Sequence, residues 1–324
     1  MNNRSRAGIV QRWLRGPASV GRALFVRAGA PRPFDLSRPL AFMHIPKTAG
    51  TSLVAALIQA LEPRALISGL DGVLFGDFDS FSSFQDDLRS HIYLSPEAMP
   101  VNADLITGHI GYTSLRQRFP DAQLITVLRE PFCRILSHWL FWRGNTDEVL
   151  VAWGSWADRV RLSHQPLANF LSTPTLACQI DNLAVRMLLS PHPLIPVADF
   201  IDPKHDRQLL TEAHDRLGQF SRVDVVENPK LSSRLKKWLG RPFDIERRNE
   251  TEGIPEPLRR PLVSELTSEA VDLLAARSRL DLELWRAVTR RQVRRRNPEQ
   301  VRLQALLQCT ARYSLLMGVP SLTR

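Results

Sequence analysis

The chain has 324 residues, 44% of them hydrophobic, which is long enough for one large α/β domain with decorated ends or for two modest domains. Its net charge of +10 does not describe a basic globular body: residues 1–38 carry +7 and residues 285–324 carry +8, which leaves −5 for everything between, so nucleic acid is not an expected partner of the body. Cys133, Cys178 and Cys309 are too few and too far apart for a disulfide framework or a zinc site, and no uninterrupted apolar run reaches the length of a membrane span.

In chain order, residues 1–38 read as a basic arm in which Ile9, Val10, Trp13, Leu14, Leu24 and Phe25 alternate with arginines, broken at Gly16-Pro17. Such an arm is a candidate for peripheral contact with anionic lipid. The first element of the domain is the apolar run Leu40-Ala41-Phe42-Met43, a strand. It runs through His44-Ile45-Pro46-Lys47-Thr48-Ala49-Gly50-Thr51 into a helix beginning near Ser52. Residues 63–101, with Gly69, Gly72, Gly76 and Phe75, Phe78, Phe81 and Phe84, read as an irregular insertion. Buried strands are expected over Ala103–Thr107, ending in Gly108-His109, and over Gln123–Leu128, ending in Arg129.

Pro131 suits the first position of a helix running from Phe132 to about Trp142. Residues 143–178 are again irregular. Helices follow over Asp181–Leu189, Asp206–Leu217 and Leu231–Leu239, with a strand at Ser221–Val226 and a last periodic helix over Ser264–Trp285. Residues 39–285 are thus expected to form the domain, leaving 286–324 as a basic C-terminal tail. Val301, Leu303, Leu306 and Leu307 give that tail an amphipathic pattern suited to the domain, a partner or a membrane surface.

The chemistry concentrates at strand ends. A strand, a tight loop of small residues and a helix form an anion-binding plan, since loop amides and the positive end of the helix dipole converge and Lys47 adds a full charge. The Walker order Gly-x-x-x-x-Gly-Lys-Ser/Thr is absent, because Lys47 precedes the small residues. The run Leu128-Arg129-Glu130-Pro131-Phe132-Cys133-Arg134-Ile135-Leu136-Ser137 puts one arginine at a strand end and a serine in the next helix, where both can reach a phosphate. Arg134 has Glu130 at helical spacing as a partner. His109, between glycines at a third strand end, has the side chain suited to taking a hydroxyl proton near neutrality. His44 reads as a structural histidine.

His-Ile-Pro-Lys-Thr-Ala-Gly-Thr-Ser resembles the 5′-phosphosulfate loop of carbohydrate sulfotransferases, and Arg129 with Ser137 matches that family's motif for the cofactor's 3′-phosphate. Gly108-His109 is similar to the Gly-His of uronyl 2-O enzymes. The resemblance, over about residues 40–290, implies a P-loop NTPase-like three-layer α/β/α fold with a mainly parallel central sheet. It implies transfer of a sulfuryl group from 3′-phosphoadenosine 5′-phosphosulfate (PAPS) to a hydroxyl of a saccharide or glycolipid acceptor. No metal is expected, because Lys47 and the amides of Thr48 to Ser52 supply the positive field, and the unpaired cysteines with the lack of a membrane-length apolar run point to the cytoplasm. Lys47 and His109 would be the catalytic residues. Pro46, Lys47, Thr48, Ala49, Gly50, Thr51, Ser52, Arg129 and Ser137 would hold the cofactor. Asp181–Arg186 resembles a block that lines the acceptor or nucleotide pocket, and Arg247–Thr251 one in which Arg248 and Asn249 close over the nucleotide. Two departures are Ala49, where a second glycine is common, and the absence of a proline after Gly-His. Other readings of the same residues are a nucleotide-dependent kinase on this scaffold and a noncatalytic membrane- or nucleic-acid-associated protein acting through its basic ends.

Overall fold

Alternation within the short apolar runs sets up a sheet covered on both faces. A computed structural model of the chain describes residues 33–246, 253–293 and 296–318. Strands β1 (Leu40–Met43), β2 (Leu66–Asp71), β3 (Ile92–Tyr93), β4 (Leu105–His109), β5 (Gln123–Leu128) and β6 (Arg222–Val225) form one sheet in the order β3-β2-β4-β1-β5-β6. Every pairing is parallel, with Leu40 opposite both Leu105 and Gln123.

Leu40, Phe42, Leu105, Ile125 and Val127 face one apolar layer, in which helices α1 (Gly50–Leu61) and α4 (Leu231–Leu239) contribute Leu53, Leu57, Leu235 and Trp238. Ala41, Met43, Ile106, Leu124 and Leu128 face the other. That larger layer is closed by α2 (Pro131–Arg143), α3 (Leu183–Leu189), α5 (Ser268–Gln292) and α6 (Pro298–Leu316). The result is an α/β architecture with an all-parallel sheet between helical layers, the arrangement that two-sided burial of such strands requires. Among the described residues no helix is long and apolar enough to cross a membrane.

Three expectations are corrected. The segment 63–101 is not simply irregular: it supplies β2 and β3, the two strands at one edge of the sheet. β2 was hidden by its interior Gly69, which lies opposite Gly108 on β4. Gly108 has φ 118, and a Cβ there would collide with the Gly69 backbone, so two chains cross closely where neither carries a side chain. The phenylalanines of the same segment pack edge-to-face around Trp156.

The expected last helix extends to Gln292. The C-terminal segment is not separate from the domain either, because over 298–316 it is α6. Val301, Ala305, Leu306, Cys309 and Tyr313 of that helix are buried in the main core. Arg302 of that helix is wholly buried against Glu130, and Arg286 near the end of α5 pairs with Glu283 and with Glu299 of α6. Residues 1–32 and 247–252, including Arg248 and Asn249, lie outside the described residues.

Candidate anion-binding site

The strand order brings the three motifs together. β4, β1 and β5 are neighbours, so their carboxyl ends deliver Gly108-His109, the loop after Met43 and Arg129 to one edge of the sheet. The order of connection reverses beside β1, with β2 and β4 reached on one side and β5 and β6 on the other, the kind of place where open parallel sheets bind ligands.

The loop is strained at the residues that matter. Of the four non-glycine residues with positive φ among those described, Lys47 (φ 67) and Ala49 (φ 61) are two. The left-handed conformation costs about 1–2 kcal/mol at each. The Thr48 hydroxyl does not face a ligand, since it is buried and donates to the Ile45 carbonyl at 2.8 Å, pinning the turn. Pro46 is also buried and has no N–H to offer, so it shapes the loop rather than binding through it. α1 then begins at Gly50 with no side-chain cap and no acid in its first turn, so its end carries positive potential. Gly50 is required by an internal contact: a Cβ there would overlap the His44 ring.

His44 stacks between Phe42 and His109, with ring centroids 5.5 and 4.2 Å away. Burial, then the neighbouring His109 and Lys47, hold its pKa well below the ordinary value, so it is a neutral packing element at neutral pH. The His109 Nδ1 lies 2.6 Å from the His44 carbonyl. A carbonyl only accepts, so Nδ1 carries the hydrogen and Nε2 keeps the lone pair in the neutral ring. Burial pushes the His109 pKa down to about 4, with the carbonyl bond opposing and Lys47 reinforcing the shift. His109 is therefore a neutral, oriented imidazole at physiological pH.

Lys47 and Arg129 supply the charge. The Lys47 ammonium lies 3.7 Å from the centre of the Phe141 ring, and burial followed by Arg129 and Arg312 pushes its pKa down to about 8. Arg129 donates from Nη1 to the Lys47 carbonyl at 3.0 Å and from Nη2 to the Tyr313 hydroxyl at 3.2 Å. Among the described residues neither cation forms an ion pair with a carboxylate. Their direct contacts are a ring, a carbonyl and a hydroxyl, with the buried Glu227 acting on Arg129 through space, an arrangement that suits a bound anion. Ser137, one helical turn and more into α2, is a neighbour of the same Tyr313 phenol and acts to lower its pKa against the larger effect of burial.

Not every expected partner joins the site. Glu130 does not pair with Arg134. Its Oε2 accepts from the Cys133 N–H at the start of α2, and its Oε1 accepts from Arg302 Nε at 3.1 Å. Arg134 turns the other way, donating to the Gln179 and Ile180 carbonyls. Asp181, Asn182 and Arg186 are buried. They form a buried knot, in which Arg186 bonds Asp181 at 2.8 Å and the Asn182 Oδ1 accepts from the Leu280 N–H, tying α3 to α5.

Tyr313 and the neighbouring Arg312 were not found from the sequence. Their only signal was the amphipathic pattern of 301–307, which says that a face is buried but not what it covers. No protein-family model and no curated protein matches the chain.

Proposed function

We propose that the protein is a PAPS-dependent sulfotransferase of P-loop-like architecture acting on a hydroxyl of a saccharide or glycolipid. Beside the motif resemblance, one observation carries the reading: the guanidinium of Arg129 is bonded to the carbonyl of Lys47. The two anion-binding elements therefore share a wall. Two separated anionic groups on one ligand, a 5′-phosphosulfate and a 3′-phosphate, suit that pair of donors better than a triphosphate, whose charges lie in a single row.

Lys47, the loop backbone and the start of α1 would hold the phosphosulfate; Arg129 and Ser137 would hold the 3′-phosphate. Bound there, PAPS supplies a sulfuryl group whose S–O bond to the 5′-phosphate breaks as a bond to the acceptor oxygen forms, leaving adenosine 3′,5′-bisphosphate. His109 takes the acceptor's hydroxyl proton on Nε2, the nitrogen left with a lone pair by the bond at Nδ1. Lys47, protonated below about pH 8, offers positive charge to the departing oxygen.

Calorimetric titration of the full chain with adenosine 3′,5′-bisphosphate, ADP and ATP tests the donor. Binding of the bisphosphate at least tenfold tighter is expected, and equal affinities would sink the assignment. Sulfate transfer across a panel of glycans then tests the reaction, with Lys47→Ala and His109→Ala expected to stay folded and lose turnover.

A further inference from the structure

Helix α6 docks against the start of α2 through two contacts that the geometry shows directly. Arg302 donates to Glu130, and the Tyr313 hydroxyl accepts from Arg129. Cys309 and Ser137 are neighbours of the same seam, acting on the Cys133 thiol and the Tyr313 phenol respectively. The ring of Tyr313 is buried in the main core, and its hydroxyl is the polar atom that this helix brings to the Arg129–Ser137 pair.

We propose that Tyr313 is a third ligand of the phosphate held by Arg129 and Ser137, and that α6 thereby makes the site selective for adenosine nucleotides carrying a 3′-phosphate. This rests on the reading given above. The phenol accepts from Arg129 and still has its own proton to donate. Burial raises its pKa against the lowering effect of Arg129, so that proton is retained at neutral pH. A phosphate oxygen beside Arg129 and Ser137 would thus meet three donors from three places in the chain: a strand end, a helix and the C-terminal segment.

The helix is a fixed wall of the site, because its ion pair between Arg302 and Glu130 is fully buried on both sides. Moving α6 away would leave two charges unpaired in the core.

The test compares adenosine 3′,5′-bisphosphate with adenosine 5′-monophosphate, which differ only by the 3′-phosphate, by calorimetry on the full chain. Tyr313→Phe removes the hydroxyl and keeps the packing. The expected result is a loss of roughly tenfold or more in bisphosphate affinity with monophosphate affinity unchanged. An unchanged ratio between the two ligands, or tighter bisphosphate binding by the variant, overturns the proposal; the latter would mean that the hydroxyl competes for the phosphate position.

Should the variant fail to fold, the wild-type protein decides the question. With three tyrosines in the chain, bisphosphate should produce a tyrosine difference-absorbance signal that monophosphate does not, and its absence overturns the proposal. If wild-type protein binds both ligands alike, the donor assignment fails first and takes this proposal with it. If wild-type protein discriminates and Tyr313→Phe does so equally, only the role of Tyr313 falls.

Discussion

The two halves of the anion site are held in opposite ways. The loop from His44 to Gly50 is built locally, from two left-handed residues, a threonine bonded three residues back and a glycine under a histidine ring. The junction at Arg129–Ser137 is built from a distance, by a buried acid, a buried arginine 172 residues later in the chain and a tyrosine 184 residues later. The difference teaches where each half is vulnerable. Local changes should damage the loop, whereas the junction should fail through partners that no local reading would name.

The largest expected effect is on the junction. Glu130→Ala removes the acceptor of the Cys133 N–H and leaves Arg302 charged and buried without a partner, a loss of about 3–5 kcal/mol. Chemical denaturation should show most of it recovered when Arg302→Met is added, and a single-variant loss below about 1 kcal/mol would break the contrast between the two halves.

In the loop, Gly50→Ala forces the His44 ring aside and should cost about 1–3 kcal/mol together with bisphosphate binding. Unaltered binding would show that His44 yields freely. Lys47→Met should act in two directions, abolishing bisphosphate binding while raising stability at neutral pH by about 1 kcal/mol, because a half-buried cation with a depressed pKa opposes folding. A variant that binds as before would separate the lysine from the site. Smallest of all, Ala49→Gly relieves one left-handed residue and adds freedom to the unfolded chain, for a net gain of about 0.5 kcal/mol by denaturant titration.

The pH dependence sharpens the same comparison. His109 has a folded pKa near 4, below the ordinary value, so its contribution to stability is fully present above about pH 6.5 and is lost as pH falls toward 4. His44 and His138 shift in the same direction through burial, so His109→Gln should flatten this slope only in part. At the other end, bisphosphate affinity should fall as pH rises through about 8 and Lys47 loses its proton. Affinity that is flat from pH 7 to 9 would show that the ammonium does not contact the ligand.

Much of this was legible before the fold was known. β1 and β5 fall where their apolar runs lie, and the helices Asp206–Leu217 and Leu231–Leu239 end where their periodicity does. The candidate site residues from Pro46 to Ser52, with His109 and Arg129, sit at strand ends or at the start of α1 because short apolar runs are followed by small and polar residues there, and Ser137 lies in the second turn of α2. What was missed has a physical cause in each case. β2 is interrupted by a glycine whose purpose is a close crossing with Gly108, a contact between residues 39 apart. Glu130 and Arg134 are four apart on a helix, yet each found a better partner at long range.

By itself the sequence determined the small-residue loop after β1, its lysine, the histidine at the end of β4 and the arginine at the end of β5, because conformational preference and charge at those places are properties of a few consecutive residues. Only the tertiary structure decided that the three strand ends lie side by side, that the neutral form of His109 keeps its lone pair on Nε2, and that residues 298–316 form a helix packed in the core with Tyr313 against Arg129. Those outcomes depend on strand order and on which buried polar groups find one another, and neither is encoded in any one stretch of the chain.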